Sequence, residues 1–202
     1  QLELALRFGR TDETFALTGW IEERNLPRLE KAIAKVSPSA YLTVEDPAEG
    51  DNPPVTLQNS RIVWPFEVIT ELFGLPLPGG IDPTPYLAPF YFIFFGIMYG
   101  DFAYGLILAG LCWYAMKKIR MAGLAKKLFV VLMLGGFSSA IVGVITGSYF
   151  GSLPIMPPIW FSPVDDPLKM LVVAMALGVV QIYTGMIINM TNQIKQGQVM
   201  DA

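Results

Sequence analysis

Asp101 is the residue best placed to do chemistry, because this carboxylate lies near the middle of a long apolar stretch. A lone charge at membrane depth is costly enough to need a partner, water or a function. One interpretation is therefore a proton or cation relay. The other is structural, with the carboxylate at the tip of a helical hairpin, where it caps a helix or meets interfacial water. A hairpin in this stretch would favour the structural interpretation.

Other kinds of site lack the residues they need. The chain has no histidine and one cysteine, Cys112, so a disulfide framework, a zinc site and a histidine-based triad are excluded. No nucleophile with an adjacent base stands out, and we expect no catalytic residue, no cofactor and no metal. A net charge of -3 and a pI near 5.0 give no basic face for nucleic acid.

The composition indicates a bilayer. Hydrophobic residues make up 53% of the chain and charged residues only 15%, against about a quarter charged in soluble domains. Most of the charged residues precede Pro83, and long apolar runs follow it. The sequence therefore predicts a polar segment first and a membrane segment second. It starts without a signal peptide, and we expect it to begin inside a longer protein.

The polar segment predicts a small α/β lobe. Alternating residues over 14–21 favour a strand, and a helix capped by Asn25 follows to residue 36. A second strand is expected at 40–44, before a loop rich in proline and charge. A short helix over 64–73, ended by Gly74, leads into a stiff connector.

Three apolar blocks follow, at 86–116, 128–150 and 168–190, and about twenty residues suffice to cross a bilayer as a helix. Basic residues crowd the link between the first two blocks, which places that link in the cytoplasm. These residues are Lys117, Lys118, Arg120, Lys126 and Lys127. The link after the second block contains Asp165 and Asp166 without Lys or Arg, and is expected outside.

A cytoplasmic polar segment requires the first block to cross twice, with a tight turn near 99–101. The sequence then predicts an all-α polytopic membrane protein with four crossings, at about 86–99, 102–117, 128–150 and 168–190. The alternative is one long tilted helix and a polar segment outside the cytoplasm.

Glycines recur at four-residue spacing, a pattern that lets helices approach closely. Gly143, Gly147 and Gly151 form one such set, and Gly96 and Gly100 form another. We interpret both sets as helix-packing positions.

Residues 82–105, DPTPYLAPFYFIFFGIMYGDFAYG, closely resemble the start of the membrane domain in subunit I, or subunit a, of V-type and A-type rotary ATPases. Residues 14–21, 53–59, 65–76 and 143–151 resemble the same family, so the likeness covers nearly the whole chain in order. One departure is Ala103, where the family often has glycine.

The resemblance implies a membrane stator without catalytic activity of its own. Residues 1–80 would end a cytoplasmic stalk-binding domain, and residues 81–202 would form the first half of the membrane domain. Its partners would be peripheral-stalk subunits, the proteolipid ring and membrane lipid, in a prokaryotic plasma membrane. Four positions match the family motif without an assigned role: Gly100, Asp101, Tyr104 and Gly105.

In that family the essential half-channel arginines lie on later helices, and no arginine here lies inside an apolar block. The resemblance therefore implies that this segment scaffolds proton or sodium translocation without performing it alone. The competing hypothesis is an independent polytopic channel or transporter with a soluble sensor domain, in which Asp101 would lie on the ion path.

Overall fold

The computed structural model describes residues 8–10, 15–48, 51, 53–151, 153 and 156–195. The chain divides into two compact units, Gln1–Pro54 and Val55–Ala202, and is mostly helical. Residues 55–80 thus group with the helices that follow them. The assignment of residues 1–80 to one cytoplasmic domain stays a prediction.

Among its described residues, the first unit contains a pair of short strands, a 3₁₀ turn at Glu23–Asn25 and one α-helix. Strands β1 (Phe8–Arg10) and β2 (Phe15–Leu17) pair antiparallel, with Gly9 opposite Ala16. Helix α1 (Leu26–Val36) begins after Asn25, as predicted, with Pro27 in its first turn. The predicted capping bond of Asn25 is absent, because this residue ends a 3₁₀ turn with helical backbone rather than the extended backbone of an N-cap, and its Nδ2 donates to Glu22 Oε2 at 3.0 Å.

The predicted strand–helix–strand order is wrong in its last element. Residues 40–44 form no strand, and the side chain of Tyr41 is 92% exposed. A strand needs a hydrogen-bonding partner, and within the described residues β1 and β2 pair only with each other. The first predicted strand, 14–21, is also shorter than expected, with Phe15–Leu17 as its regular part and Thr14 outside the described residues.

Within the described residues, the second unit contains five α-helices in chain order. A 3₁₀ turn, Trp64–Phe66, leads into α2 (Glu67–Phe73), which ends at Gly74 as predicted. The four longer helices are α3 (Thr84–Tyr99), α4 (Phe102–Lys118), α5 (Gly123–Thr146) and α6 (Pro167–Lys195). An apolar core joins α2 to α3 and α5 through Phe66, Val68, Ile69, Ala88 and Val131.

Helix α5 packs against both α3 and α4 because small residues line two adjacent faces. On one face, the ring of Phe95 in α3 lies directly over Gly135. On the other, a Cβ atom at Gly136 would come within 2.6 Å of the Gly105 carbonyl oxygen in α4. Side chains at these glycines would separate the helices, so the small residues set the spacing of the bundle.

Of the described helices, two are long and apolar enough to cross a membrane, α5 with 24 residues and α6 with 29. The most apolar window of α6 is 0% buried, so its apolar side chains face outward. Helix α3 is a shorter apolar helix of 16 residues. A core helix of a soluble protein would be mostly buried, and outward-facing apolar surface is expected of a helix in lipid.

Candidate functional site

Asp101 lies in the two-residue turn that joins α3 to α4. Gly100 ends α3 in the left-handed region, at φ 49°, and its amide donates to the Gly96 carbonyl at 2.8 Å. Asp101 then adopts extended backbone and caps α4, because its Oδ1 accepts from the Tyr104 amide at 2.9 Å. The predicted tight turn therefore forms, with glycine supplying the positive φ and aspartate the cap.

The same carboxylate binds the chain beyond α5. Asp101 Oδ2 accepts from the Gly151 amide at 2.6 Å and from Ser148 Oγ at 3.2 Å. The Asp101 main chain also bonds to Ser139 on α5. Its amide donates to Ser139 Oγ at 3.2 Å, and Ser139 Oγ donates to the Asp101 carbonyl oxygen at 3.0 Å. We call Asp101, Ser139, Ser148 and Gly151 the Asp101 anchor. Only 5% of Asp101 is exposed, so these contacts replace water.

The hydrogen bonds decide the protonation state of Asp101. Burial alone would raise the pKa of this carboxyl, but donors from Gly151, Tyr104 and Ser148 outweigh burial, and the pKa is lowered from its ordinary 3.8. A lowered pKa in the folded state means that the ionised form stabilises the fold. This geometry supports the structural interpretation of Asp101 over the relay.

The remaining motif positions surround the anchor. The Gly105 amide donates to the Asp101 carbonyl at 3.0 Å, and a Cβ atom at Gly105 would lie 2.6 Å from the Gly136 carbonyl oxygen. The ring of Tyr104 meets Phe150 edge to face, with centroids 5.5 Å apart. Within the motif, Gly100 thus supplies the turn, Asp101 caps α4, and Gly105 allows α4 to approach α5 closely.

The three glycines predicted to share a helix face lie in different settings. Gly143 is in α5, where a Cβ atom would overlap the Phe102 amide nitrogen. Gly147 ends α5 in the left-handed region, at φ 71°, so the predicted helix over 128–150 stops at Thr146. Gly151 lies in the following loop at φ 83° and donates to Asp101. Of these three glycines, only Gly143 lies in a contact between two helices.

Replacement of Asp101 by asparagine should destabilise the protein by about 1–3 kcal/mol at neutral pH, because the NH₂ group that replaces one carboxylate oxygen cannot accept from the Tyr104 or Gly151 amide that it faces. In the wild type, the Asp101 contribution is fully present above pH 3.8 and is lost as the pH falls through the lowered pKa. The free energy of unfolding in mixed detergent and SDS micelles, measured as a function of pH, tests the loss in the variant and the pH dependence of the wild type. Asp165→Asn is the control, since that side chain is exposed, and equal losses in the two variants would contradict the prediction.

A second polar cluster lies toward the opposite end of α5 and was missed in the sequence. Lys127 Nζ lies 2.6 Å from Glu67 Oε2 and 2.6 Å from Glu71 Oε1, both on α2. The side chain of Glu67 is 3% exposed and that of Lys127 is 13% exposed. Residues 67 and 71 share one helix face by their four-residue spacing, but nothing local identifies Lys127 as their partner.

Hydrogen bonds extend this cluster into the connector before α3. Asn59 donates to Glu67 Oε1 from its backbone nitrogen at 3.2 Å and from its side-chain Nδ2 at 3.1 Å. The same Nδ2 donates to Asp82 Oδ2 at 2.6 Å, and Asp82 Oδ1 accepts from the Thr84 amide at 2.8 Å. We call Asn59, Glu67, Glu71, Asp82 and Lys127 the Lys127 joint, which binds the connector and α2 to α3 and α5.

Neither cluster has the composition of a metal site. Among the residues that the structure describes, no group of three or more histidine, cysteine, aspartate or glutamate side chains could hold a metal ion. The carboxylates of both clusters are instead occupied by protein donors. The clusters hold elements together, one at each end of α5.

The chain is mostly helical, two of its described helices are long and apolar enough to cross a membrane, and polar clusters lie at the ends of α5, which is the architecture expected of a helical membrane protein. Residues 3–153 match the model of the V-type ATPase 116kDa subunit family, and the chain belongs to this family.

Relatives agree with this assignment. The chain is 34% identical to the A-type ATP synthase subunit I of Thermococcus kodakarensis, over 93% of this chain and 31% of that protein. It is 28% identical to the corresponding subunit of Methanocaldococcus jannaschii, over 97% of this chain and 33% of that protein. A V-type ATP synthase subunit I of Treponema pallidum is 29% identical over 74% of this chain. The chain spans about a third of the length of the archaeal relatives.

Proposed function

We propose that this chain is part of the membrane stator of a V-type or A-type rotary ATPase. In this role it links peripheral stalks to the membrane sector and scaffolds proton or sodium translocation against the proteolipid ring. Family membership supports the assignment of the chain to a rotary ATPase complex. The Lys127 joint is the observation that supports the stator role. A stator must resist a lateral force where its cytoplasmic part meets its membrane part.

The joint is suited to resist such a force. It adds the buried ion pair between Lys127 and Glu67 to the contacts of the apolar core, which includes Phe66 and Val131. Apolar contacts are non-directional, whereas hydrogen-bonded ion pairs accept one geometry. Sliding of α2 along α5 would therefore separate a buried cation from its carboxylate, which is strongly unfavourable.

Four membrane crossings are consistent with contacts at both ends of the bundle. Near one end, Asn192 Oδ1 in α6 accepts from the Ile81 amide before α3 at 2.7 Å. Toward the other end, the Asp101 anchor joins the α3–α4 turn to the chain beyond α5. Successive helices thus run in alternating directions. Helices α3 and α4, at 16 and 17 residues, are each about 25 Å long, close to the 30 Å hydrocarbon core.

The charges suggest the orientation. Basic residues gather where α4 ends and α5 begins, and this end lies in the cytoplasm under the positive-inside rule. The connector and the Lys127 joint lie at the same end, which supports a cytoplasmic polar segment, and the archaeal and bacterial relatives support a prokaryotic plasma membrane. Residues 1–80 would then complete the stalk-binding domain and 81–202 would begin the membrane domain.

The chain itself would be non-catalytic. Helices α3 to α6 contain no arginine, and the half-channel arginines implied by the family resemblance lie on later helices. The motif positions Gly100, Asp101, Tyr104 and Gly105 would close the first hairpin, and Gly143 would hold it against α5. Their role is to shape the scaffold on which the ion path is built.

The proposal predicts stable association with a rotary ATPase. We expect the tagged full-length parent, purified from its native membrane in mild detergent, to retain ATPase head, stalk and proteolipid subunits in mass spectrometry. An unrelated tagged polytopic protein from the same membrane serves as the control. A preparation that lacks all of these subunits, yet carries ion flux after reconstitution alone, would identify an independent transporter and reject the stator.

A further inference from the structure

Four cations lie at the end of the bundle where α4 is connected to α5. Lys117 and Lys118 end α4, Arg120 lies in the connection, and Lys126 is in the first turn of α5. All four are exposed, and none forms an ion pair with a carboxylate in the part of the chain that the structure describes. We call these four residues the basic patch. Lys127 is excluded because Glu67 and Glu71 already neutralise it.

Aromatic rings lie beside three of these cations. Lys117 Nζ is 4.0 Å from the ring centroid of Trp113, and Lys118 Nζ is 5.7 Å from that of Tyr114. Lys126 Nζ is 5.8 Å from the Trp64 centroid. Tryptophan and tyrosine gather at the headgroup level of a bilayer, and lysine side chains extend toward the same level. This pairing of cations with aromatic rings is the one expected of side chains at the depth of lipid phosphates.

We propose that the basic patch binds the phosphate of anionic phospholipids in the membrane leaflet on this side. Cations without partner carboxylates are electrostatically complementary to anionic headgroups, and juxtamembrane basic clusters attract such lipids. The other end of the bundle differs, because Lys169 lies 2.7 Å from Asp166 and Asp165 adds a further negative charge. This inference depends on membrane insertion and is independent of the rotary-ATPase assignment.

Apolar residues next to the basic patch favour a lipid, rather than an acidic protein segment, as its ligand. Leu111 is 62% exposed, Ile119 56% and Leu124 47%, so apolar surface continues from the cations along the helices. A soluble acidic segment would neutralise the charges but leave this surface in water. A phospholipid supplies a phosphate for the cations and acyl chains for the apolar side chains at the same time.

The test uses the full-length parent in phosphatidylcholine nanodiscs that contain spin-labelled phosphatidylglycerol. We expect electron paramagnetic resonance to show a protein-bound fraction favouring phosphatidylglycerol over labelled phosphatidylcholine by about fivefold or more, since each juxtamembrane cation contributes about that factor. The triple variant Lys117→Gln, Lys118→Gln, Lys126→Gln should lose most of this preference. The variant with arginine at the same three positions should keep it.

A control variant with Arg28→Gln, Lys31→Gln and Lys35→Gln removes three charges from the first unit and should retain the full preference. An unchanged preference in the Lys117, Lys118 and Lys126 glutamine variant would overturn the proposal. So would loss of the preference in excess inorganic phosphate when sodium chloride of the same ionic strength leaves it intact, which would assign the patch to free anions rather than to lipid. Persistence in phosphate, with loss on neutralisation, identifies the membrane lipid as the ligand.

Discussion

The Lys127→Met variant should be destabilised by about 3–5 kcal/mol, one of the two largest effects expected in this protein. The substitution leaves Glu67, whose side chain is 3% exposed, buried without its cation. An unpaired buried carboxylate costs far more than the ion pair contributes, because the desolvation of the charge is no longer offset. The measurement is the free energy of unfolding in mixed detergent and SDS micelles.

Lys126→Met provides a matched control, because the neighbouring lysine is exposed and pairs with no carboxylate in the described residues. Its effect should stay within about 0.5 kcal/mol. Adding Glu67→Gln to Lys127→Met should restore part of the lost stability, since the stranded charge is removed. Equal losses in the two single lysine variants would show that the joint contributes no buried pairing.

The stator proposal gives this variant a functional readout. If the joint transmits force between the connector and the bundle, Lys127→Met should reduce ATP-driven ion transport more than it reduces ATP hydrolysis in the assembled complex. Lys126→Met leaves the Lys127 joint intact and should not change the ratio of ion transport to ATP hydrolysis. This comparison separates weakened coupling from general loss of the protein, because an unfolded subunit would remove both activities together.

The helices of the bundle were predictable because their signals are local. One apolar run, 86–116, covers most of the helices Thr84–Tyr99 and Phe102–Lys118, and a turn near 99–101 was predicted because a cytoplasmic polar segment requires this run to cross twice. A left-handed glycine followed by an aspartate cap needs no distant partner to be identified. The capping role of Asp101 was therefore one of the two interpretations available from sequence alone.

Contacts between distant residues could not be predicted in the same way. Lys127 lies 60 positions from Glu67. In the sequence it looks like its neighbours Lys126 and Arg120, as one of several basic residues that predict a cytoplasmic link. Spacing also failed for the glycines, because a glycine in a helix interface and one that ends a helix look alike in sequence. The left-handed backbone at Gly147 is a property of the folded chain.

The other large effect concerns Gly143, where α5 crosses the start of α4. We expect Gly143→Ala to destabilise the protein by about 3 kcal/mol, because the added methyl group would overlap the Phe102 amide nitrogen and lie 2.6 Å from the Asp101 carbonyl carbon. These neighbours are backbone atoms, which cannot rotate away as a side chain could. The α4 start must shift, and the shift would also weaken the hydrogen bonds between Asp101 and Ser139.

Gly110→Ala separates this steric effect from the general effect of removing a glycine from a helix. Gly110 lies in α4, and a Cβ atom there meets nothing within 4 Å. This substitution should leave stability unchanged or raise it by up to about 1 kcal/mol, since alanine favours the helix. Unfolding in mixed micelles measures both variants. Wild-type stability in Gly143→Ala would mean that α4 and α5 do not approach as closely as the structure shows, and that the Asp101 anchor forms without this contact.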